Sequence, residues 1–444
     1  MRKKTRKWSA LWLAAVLSVV CSGCSQLSNR TDELLVAPRL SGEFSVIQKA
    51  LEASLNGKYT LKYPSKGDYR SAFILSDLDS DGNPEGVAFY GTSVENTLTM
   101  HIAVIDSADG QYRVSCEQSL AAADVEQVQL CDIDGDGVSE ILVGWNIYGS
   151  VDKKLSVYEY TGSSLIPVIE EPYTAFLTYD MNNDFLPDLL KVNLNLSEST
   201  CLAVAYSFSK DGLSVIGTAN MDGGISSLGE LKLSKLSSGM PFVYVDSVKG
   251  SGMLTEVLYY AGEKLHAPFY NAETRETTLT FRPASVPSRD IDGDGNVEFP
   301  ILQAFPTVPG SEENSTAYIT RWSSFDPGTG LTDKQWALMN YNDGYYLNIA
   351  PQLCEKITVI RATERRERLF FAYQHDTGET GTLLLSIRTV VNSAWNVGVY
   401  AESGYTAALS TDTLTYAVRY TEEGKALGLT PEYIAANLKI LKEE

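Results

Sequence analysis

Nine residues recur along this chain in almost the same form: DLDSDGNPE at 77–85, DIDGDGVSE at 132–140 and DIDGDGNVE at 290–298. Each places carboxylates at positions one, three, five and nine, with a glycine at six. Four like charges in so short a span repel one another unless a cation sits among them, and the glycine permits the turn that gathers them. Oxygen ligands on a flexible loop suit a hard cation, calcium above all, which takes six to eight oxygens. One such run reads equally well as a solvated acidic turn. Three copies at comparable spacing favour the cation.

The spacing is itself informative. Asp77 to Asp132 is 55 positions, Asp132 to Asp180 is 48, and Asp180 to Asp290 is 110, twice 55. Asp180 opens DMNNDFLPD, a degenerate copy in which Asp180, Asn182, Asp184 and Asp188 keep the oxygen positions while Phe185 replaces the glycine. The double gap is expected to hide one more unit, PFVYVDSVKGSGMLTEVLYY (241–260), which has strand, Gly-rich turn, Glu256 and strand but has lost the loop's carboxylates. Five units follow, at 71–123, 124–172, 173–239, 240–288 and 289–350. In each, a short apolar strand enters the loop, another leaves it (GVAFYG, ILVGW, LLKVNL), and a second strand pair follows. Four strands in about 50 residues is the size of a propeller blade. The expected fold is therefore all-β: a β-propeller of about five recognisable four-stranded repeats over 71–350, open to further blades. A sandwich is the alternative, but it gives no reason for one acidic loop per unit.

These loops are not EF-hands. Position twelve, which an EF-hand fills with a bidentate acid, is Ala88, Val143 or Ile301. The nine-residue form Asp-x-Asp-x-Asp-Gly-x-x-Asp/Glu between two strands instead resembles the FG-GAP/VCBS repeat family, found in integrin α-subunit propellers and in many bacterial surface proteins. The resemblance implies calcium held by side chains at positions one, three, five and nine and by the carbonyl at seven. Here those are Asp77, Asp79, Asp81, Glu85 and the Asn83 carbonyl; Asp132, Asp134, Asp136, Glu140 and the Val138 carbonyl; and Asp290, Asp292, Asp294, Glu298 and the Asn296 carbonyl. The Asp180 loop would bind weakly or not at all. Glu stands at position nine where the integrin version has Asp. A cation held by its own loop has few positions left for substrate, so its expected role is structural.

The flanking segments read differently. MRKKTRK, the apolar run WSALWLAAVLSVV and CSGC form a secretory leader, the run being too short to span a bilayer comfortably. Ser22-Gly23-Cys24 resembles a bacterial lipobox, which makes residues 1–23 a signal peptide, Cys24 the lipidated residue and 24–42 a tether. Residues 43–70 read as a helix over Glu43–Leu55, with Ile47, Leu51, Ser54 and Leu55 at helical spacing alongside Val46 and Ala50 and Gly57 as its C-cap, and then a lead-in strand. Beyond residue 350 the pattern changes. KITVIRA, LFFAY, TLLLSIRTV and LTYAVRY are strands and TPEYIAANLKIL a helix, so 351–444 is expected to be a small α+β domain or a divergent last blade. Leader, helix, repeats and C-terminal domain together resemble a group of lipoproteins of Gram-positive bacteria.

Charge narrows the partners. The chain carries −20, and removal of a leader with five Lys/Arg leaves about −25, which disfavours nucleic acid and anionic membranes. The four cysteines after Cys24 lack zinc spacing; a Cys116–Cys131 bridge and buried free thiols are both open. Only three histidines are present, and no HExxH, GxSxG or phosphate-binding glycine loop occurs. Tyr341, Tyr345 and Tyr346 flank an Asn-Asp-Gly turn and read as hairpin packing before a binding surface. The function expected is a lipid-anchored, monomeric, non-enzymatic module at the cell surface that binds an envelope protein or glycan. A calcium-dependent polysaccharide lyase or glycoside hydrolase is the alternative.

Overall fold

The computed structural model describes residues 42–441 except 56–57, 95–96, 109, 149–152, 210–211, 236–238, 312–314, 316 and 363–364. The leader, Cys24, most of the tether and Gly57 lie outside the described residues. The chain divides into two compact units, one of residues up to 127 with 160–166, the other of 128–159 with 167–444.

The first unit begins with helix α1 (Gly42–Ser54), followed by β1 (Tyr59–Leu61), β2 (Phe73–Ser76), β3 (Glu85–Val94), β4 (Thr97–Ala108) and β5 (Gln111–Leu120). These strands form one antiparallel sheet in which β3, β4 and β5 are successive neighbours and both β1 and β2 pair with β3. Helical spacing puts Ile47 and Leu51 on one side of α1, where both are fully buried with Phe73, Ala88, Tyr90 and Ile105 of the sheet. Val46 lies outside that stripe and is exposed. The helix comes so close that a Cβ on Gly86 would stand 2.8 Å from the Ile47 Cγ2.

Three more sheets run in simple chain order. They are β6 (Asp124–Cys131), β7 (Glu140–Asn146), β8 (Lys153–Tyr160) and β9 (Leu165–Tyr173); then β10 (Ala175–Tyr179), β11 (Asp188–Asn195), β12 (Thr200–Ser209) and β13 (Gly212–Met221); then β14 (Ser227–Lys235), β15 (Pro241–Lys249), β16 (Gly252–Ala261) and β17 (Lys264–His266). Inner strands are covered on both faces: β7 buries six consecutive residues and β15 seven, whereas the outer strand β13 is mostly exposed. That explains why the inner strands read as unbroken apolar runs and the outer ones alternate. At Gly144 of β7 only glycine fits, because a Cβ would lie 2.0 Å from the Tyr173 hydroxyl. Antiparallel four-stranded meanders repeated along the chain are the blades of a β-propeller, and this is the fold of the protein.

The fourth sheet shifts one expectation. PFVYVDSVKGSGMLTEVLYY forms β15 and β16, the second and third strands, and its glycine turn joins those two. The connection between first and second strands, where other sheets carry an acidic loop, falls at 236–240. Glu256 is therefore not a ninth-position acid. A strandless stretch, 267–298, then leads through the last acidic loop into β18 (Phe299–Ala304), and a single bridge between Arg289 and Glu298 stands in place of an entering strand.

With β18, the strands β19 (Tyr318–Asp326), β20 (Gly330–Asn340) and β21 (Tyr345–Asn348) form the fifth sheet. Short helix α2 (Pro351–Cys354) leads to a sixth, built of β22 (Ile357–Ala362), β23 (Glu367–Gln374), β24 (Glu379–Val391), β25 (Tyr405–Ser410) and β26 (Leu414–Tyr420) in the order β22-β23-β24-β26-β25. Fifth and sixth sheets share one core, in which Leu338, Leu347, Ile357, Val359, Phe370 and Leu385 pack together. Helix α3 (Val397–Glu402) lies between β24 and β25, and α4 (Glu422–Ala426) and α5 (Pro431–Asn437) follow β26, α5 capped by the Thr430 side chain. The helix expected to run through TPEYIAANLKIL ends at Asn437. Its last residues form β27 (Leu438–Ile440), which pairs with β21.

Candidate metal centre

Three acidic loops join first and second strands: β2 to β3, β6 to β7 and β10 to β11; the fourth precedes β18. All four share one hydrogen-bonding scheme. The position-one aspartate turns both carboxylate oxygens inward to accept backbone amides, from Asp81 and Gly82 at Asp77, Gly135 and Gly137 at Asp132, Asp184 and Phe185 at Asp180, and Gly293 and Gly295 at Asp290, at 2.7–3.2 Å. Position five accepts the amide of position seven: Asp81 from Asn83, Asp136 from Val138, Asp184 from Leu186 and Asp294 from Asn296. Position nine closes the loop, its carboxylate accepting the amide of position two: Glu85 from Leu78, Glu140 from Ile133, Asp188 from Met181 and Glu298 from Ile291.

Backbone amides thus pre-shape each loop while its carboxylates stay concentrated. Carboxylate oxygens of Asp77, Asp79 and Glu85, of Asp132, Asp134 and Asp136, and of Asp290, Asp292 and Asp294 lie within 4.8 Å of one another in each set. Two oxygens about 2.4 Å from one calcium can be at most about 4.8 Å apart, so the separations fit a shared cation. Asp81, Glu140 and Glu298 are not members of these groups. In the Asp180 loop position three is the neutral Asn182, whose side-chain amide donates to Asp184 at 2.9 Å.

Burial of the ninth acid is the most telling feature. Glu85 and Glu298 are fully buried and Glu140 nearly so, and Oε1 of Glu85 and of Glu298 has no hydrogen-bond partner. Burial pushes each of these three carboxyls up to about 7 against the pull of one amide, and the neighbouring aspartates add to the rise. A buried carboxylate oxygen without a donor is costly, and a cation at the loop centre would supply what it lacks. The residues present therefore fit a calcium ion at the loops of Asp77, Asp132 and Asp290, whose chemistry there is charge neutralisation. Lys334 reaches Asp294 at 3.1 Å and partly balances the last of them.

In the fourth sheet, protein cations stand among the acids. Asp246 accepts from Thr255 Oγ1, from the amide and hydroxyl of Ser288, from Lys232 Nζ at 3.2 Å and from Arg282 Nη2 at 3.1 Å. Arg282 is fully buried. Burial alone would raise the Asp246 carboxyl, yet these donors hold it below its ordinary value. Nearby, Glu256 accepts from the Asp222 amide and Thr277 Oγ1, and Lys249 bridges Asp222 and Glu276. No motif announced this network, since partners such as Asp246 and Ser288 are 42 residues apart.

His101 stacks on Tyr90 at 4.7 Å between Thr92 and Glu117, and Tyr345 is buried edge-on against Tyr416. Cys116, Cys131, Cys201 and Cys354 are free thiols.

Searched against protein families and curated proteins, the sequence matches none. Solved β-propeller structures do resemble it. A rhamnogalacturonan lyase of Bacillus licheniformis is 9% identical over 72% of this chain and 90% of its own, with a TM-score of 0.30. A periplasmic gluconolactonase of Pseudomonas aeruginosa is 14% identical over 73% and 88%, at 0.28. The Dos1 propeller is 9% identical over 64% of each chain, at 0.30. At such scores and identities these likenesses carry no argument about activity.

Proposed function

We propose that this protein is a lipid-anchored, extracytoplasmic binding module of the FG-GAP/VCBS type, whose propeller is stabilised by calcium in the loops of Asp77, Asp132 and Asp290. Cys24 carries the lipid, the tether spaces the folded region from the membrane, and the propeller presents loops to an envelope protein or glycan. The observation that carries the calcium reading is the buried ninth-position glutamate: Glu85 lies within the carboxylate group of Asp77 and Asp79, and at both Glu85 and Glu298 one buried oxygen has no hydrogen-bond partner. Calcium would remove that repulsion and stabilise the folded state by RT ln(1 + [L]/Kd), about 2.7 kcal/mol per site at a hundredfold excess over Kd.

Metal analysis of the mature protein with thermal melts tests this. Three bound calcium ions and a melting temperature that falls in chelator and recovers with calcium are expected; no bound metal and identical melts would reduce the loops to acidic turns. Cys24→Ala should release the protein from the membrane or leave an unprocessed precursor. Purified protein should retain an envelope glycan or protein without altering it, and calcium-dependent depolymerisation of a polysaccharide would establish the enzymatic alternative instead.

A further inference from the structure

A cavity of about 810 Å³ opens where the fifth and sixth sheets meet, and none of the acidic-loop residues lines it. Its walls come from the end of β18 and the residues that follow, from β19 and β20, and from the turns that leave α2 and β23. That volume lies in the upper part of the range usual for small-molecule sites, roughly 300–1,000 Å³. The apolar lining is Phe305 and Ile319, both buried, with the half-buried rings of Trp336 and Tyr373.

Trp336 is braced from within the fifth sheet. Its Nε1 donates to Asp333 Oδ2 at 3.1 Å, and Arg321, which donates to both oxygens of that carboxylate at 3.1 Å, lies over the ring at 5.1 Å. Ser323 adds a third donor to Asp333 at 2.7 Å. With its N–H spent, the indole has only carbon surface to offer a ligand. The polar lining is the reverse. Gln303, Glu355, Lys356 and Asp376 are exposed, and among the described residues their side chains make no hydrogen bond or ion pair. His375 meets the Tyr373 ring edge-on at 4.8 Å, and the Tyr373 hydroxyl has no hydrogen-bond partner among the described residues. Two carboxylates, one ammonium and one imidazole come close to balance, unlike the acidic loops.

We propose that this cavity binds a neutral oligosaccharide of pyranose sugars. A pyranose carries C–H groups on its faces and hydroxyls around its edge, and each hydroxyl both donates and accepts. The faces suit the rings of Trp336 and Tyr373, whose negative π surfaces attract C–H groups. The edge suits Glu355 and Asp376 as acceptors, Lys356 as a donor and the Gln303 amide as both. A wholly apolar ligand would strip water from those groups and give them no partner. An anion would meet two carboxylates against one ammonium, on a chain of net charge −20. The volume suits a short chain of sugars better than a single one. This inference rests on the binding role proposed above, choosing glycan over protein as the partner, and it does not involve the calcium loops.

Calorimetric titration of the whole mature protein in calcium tests this, with cellotetraose, mannotetraose and chitotetraose as neutral probes and tetragalacturonate as the anionic control. At least one neutral tetrasaccharide should bind with Kd below about 1 mM and at least about tenfold more tightly than tetragalacturonate. Trp336→Ala should weaken that binding about tenfold or more. Gln303→Ala and Asp376→Ala, at exposed positions the fold does not depend on, should each weaken it about threefold or more, whether or not Trp336→Ala folds. Absence of binding by all three neutral sugars up to about 10 mM, equal affinity for tetragalacturonate, or affinity unchanged in both Gln303→Ala and Asp376→Ala would overturn the proposal. If the sugars fail while the same protein still retains an envelope protein, this site falls and the binding role stands.

Discussion

Position six of each acidic loop needs a left-handed backbone. Gly82, Gly137 and Gly295 supply it at φ 89°, 92° and 87°, and Phe185 is held there at 72° with its ring 92% exposed. The degenerate copy thus keeps the turn and bears its strain. Because the ring packs on little, Phe185→Gly should raise stability by about 0.5–1 kcal/mol, the conformational gain less the added freedom of the unfolded chain; a denaturant midpoint at or below the parent's would contradict this. At the site proposed for calcium, Asp134→Ala should lower the bound metal count by one and leave the other two sites filled. Glu256 permits a pH prediction. Burial raises its carboxyl from 4.5 to about 7, so its contribution is fully present below about pH 4.5 and is lost as the pH rises through 7. Glu256→Gln keeps an acceptor for the Asp222 amide and Thr277, so it should flatten that decline in urea melts run from pH 4.5 to 8.

At the scale of elements, what could be read from the chain was what local chemistry repeats. Acidic loops at blade spacing located β2–β3, β6–β7 and β10–β11, and helical spacing of Ile47 and Leu51 located α1. The fourth sheet misled because PFVYVDSVKGSGMLTEVLYY looks like strand, loop and strand at the expected place, whereas its turn joins β15 and β16, and Asp246 and Glu256 on those strands find their donors in Lys232, Arg282 and Thr277. The end of the last helix was illegible for a related reason: LKI continues a helical pattern, and only the open edge of β21 makes it a strand. Leu438 is 3% exposed within the core shared by the fifth and sixth sheets, while Ile440 is 37% exposed. Leu438→Ala should therefore cost about 2–5 kcal/mol in denaturant melts and Ile440→Ala under about 1 kcal/mol; equal costs would place the value of β27 in its backbone pairing alone.

For the molecule as a whole, a net charge of −20 is the sum of unlike regions. Reading that total obscured RATERRER, four arginines in eight residues, though the run is plain once charge is followed locally. The same unevenness bears on conditions: raising salt should narrow the difference between calcium-loaded and chelated melts, since it screens the crowded carboxylates that calcium would neutralise. The returning strand has a consequence in time. From Asn348, where β21 ends, to Leu438, where β27 begins, is 90 positions, so a nascent chain displays the bare edge of β21 through the synthesis of the entire sixth sheet. At about 5–20 residues per second that interval is about 5–18 s, and an uncovered strand edge invites pairing with a neighbouring chain throughout it.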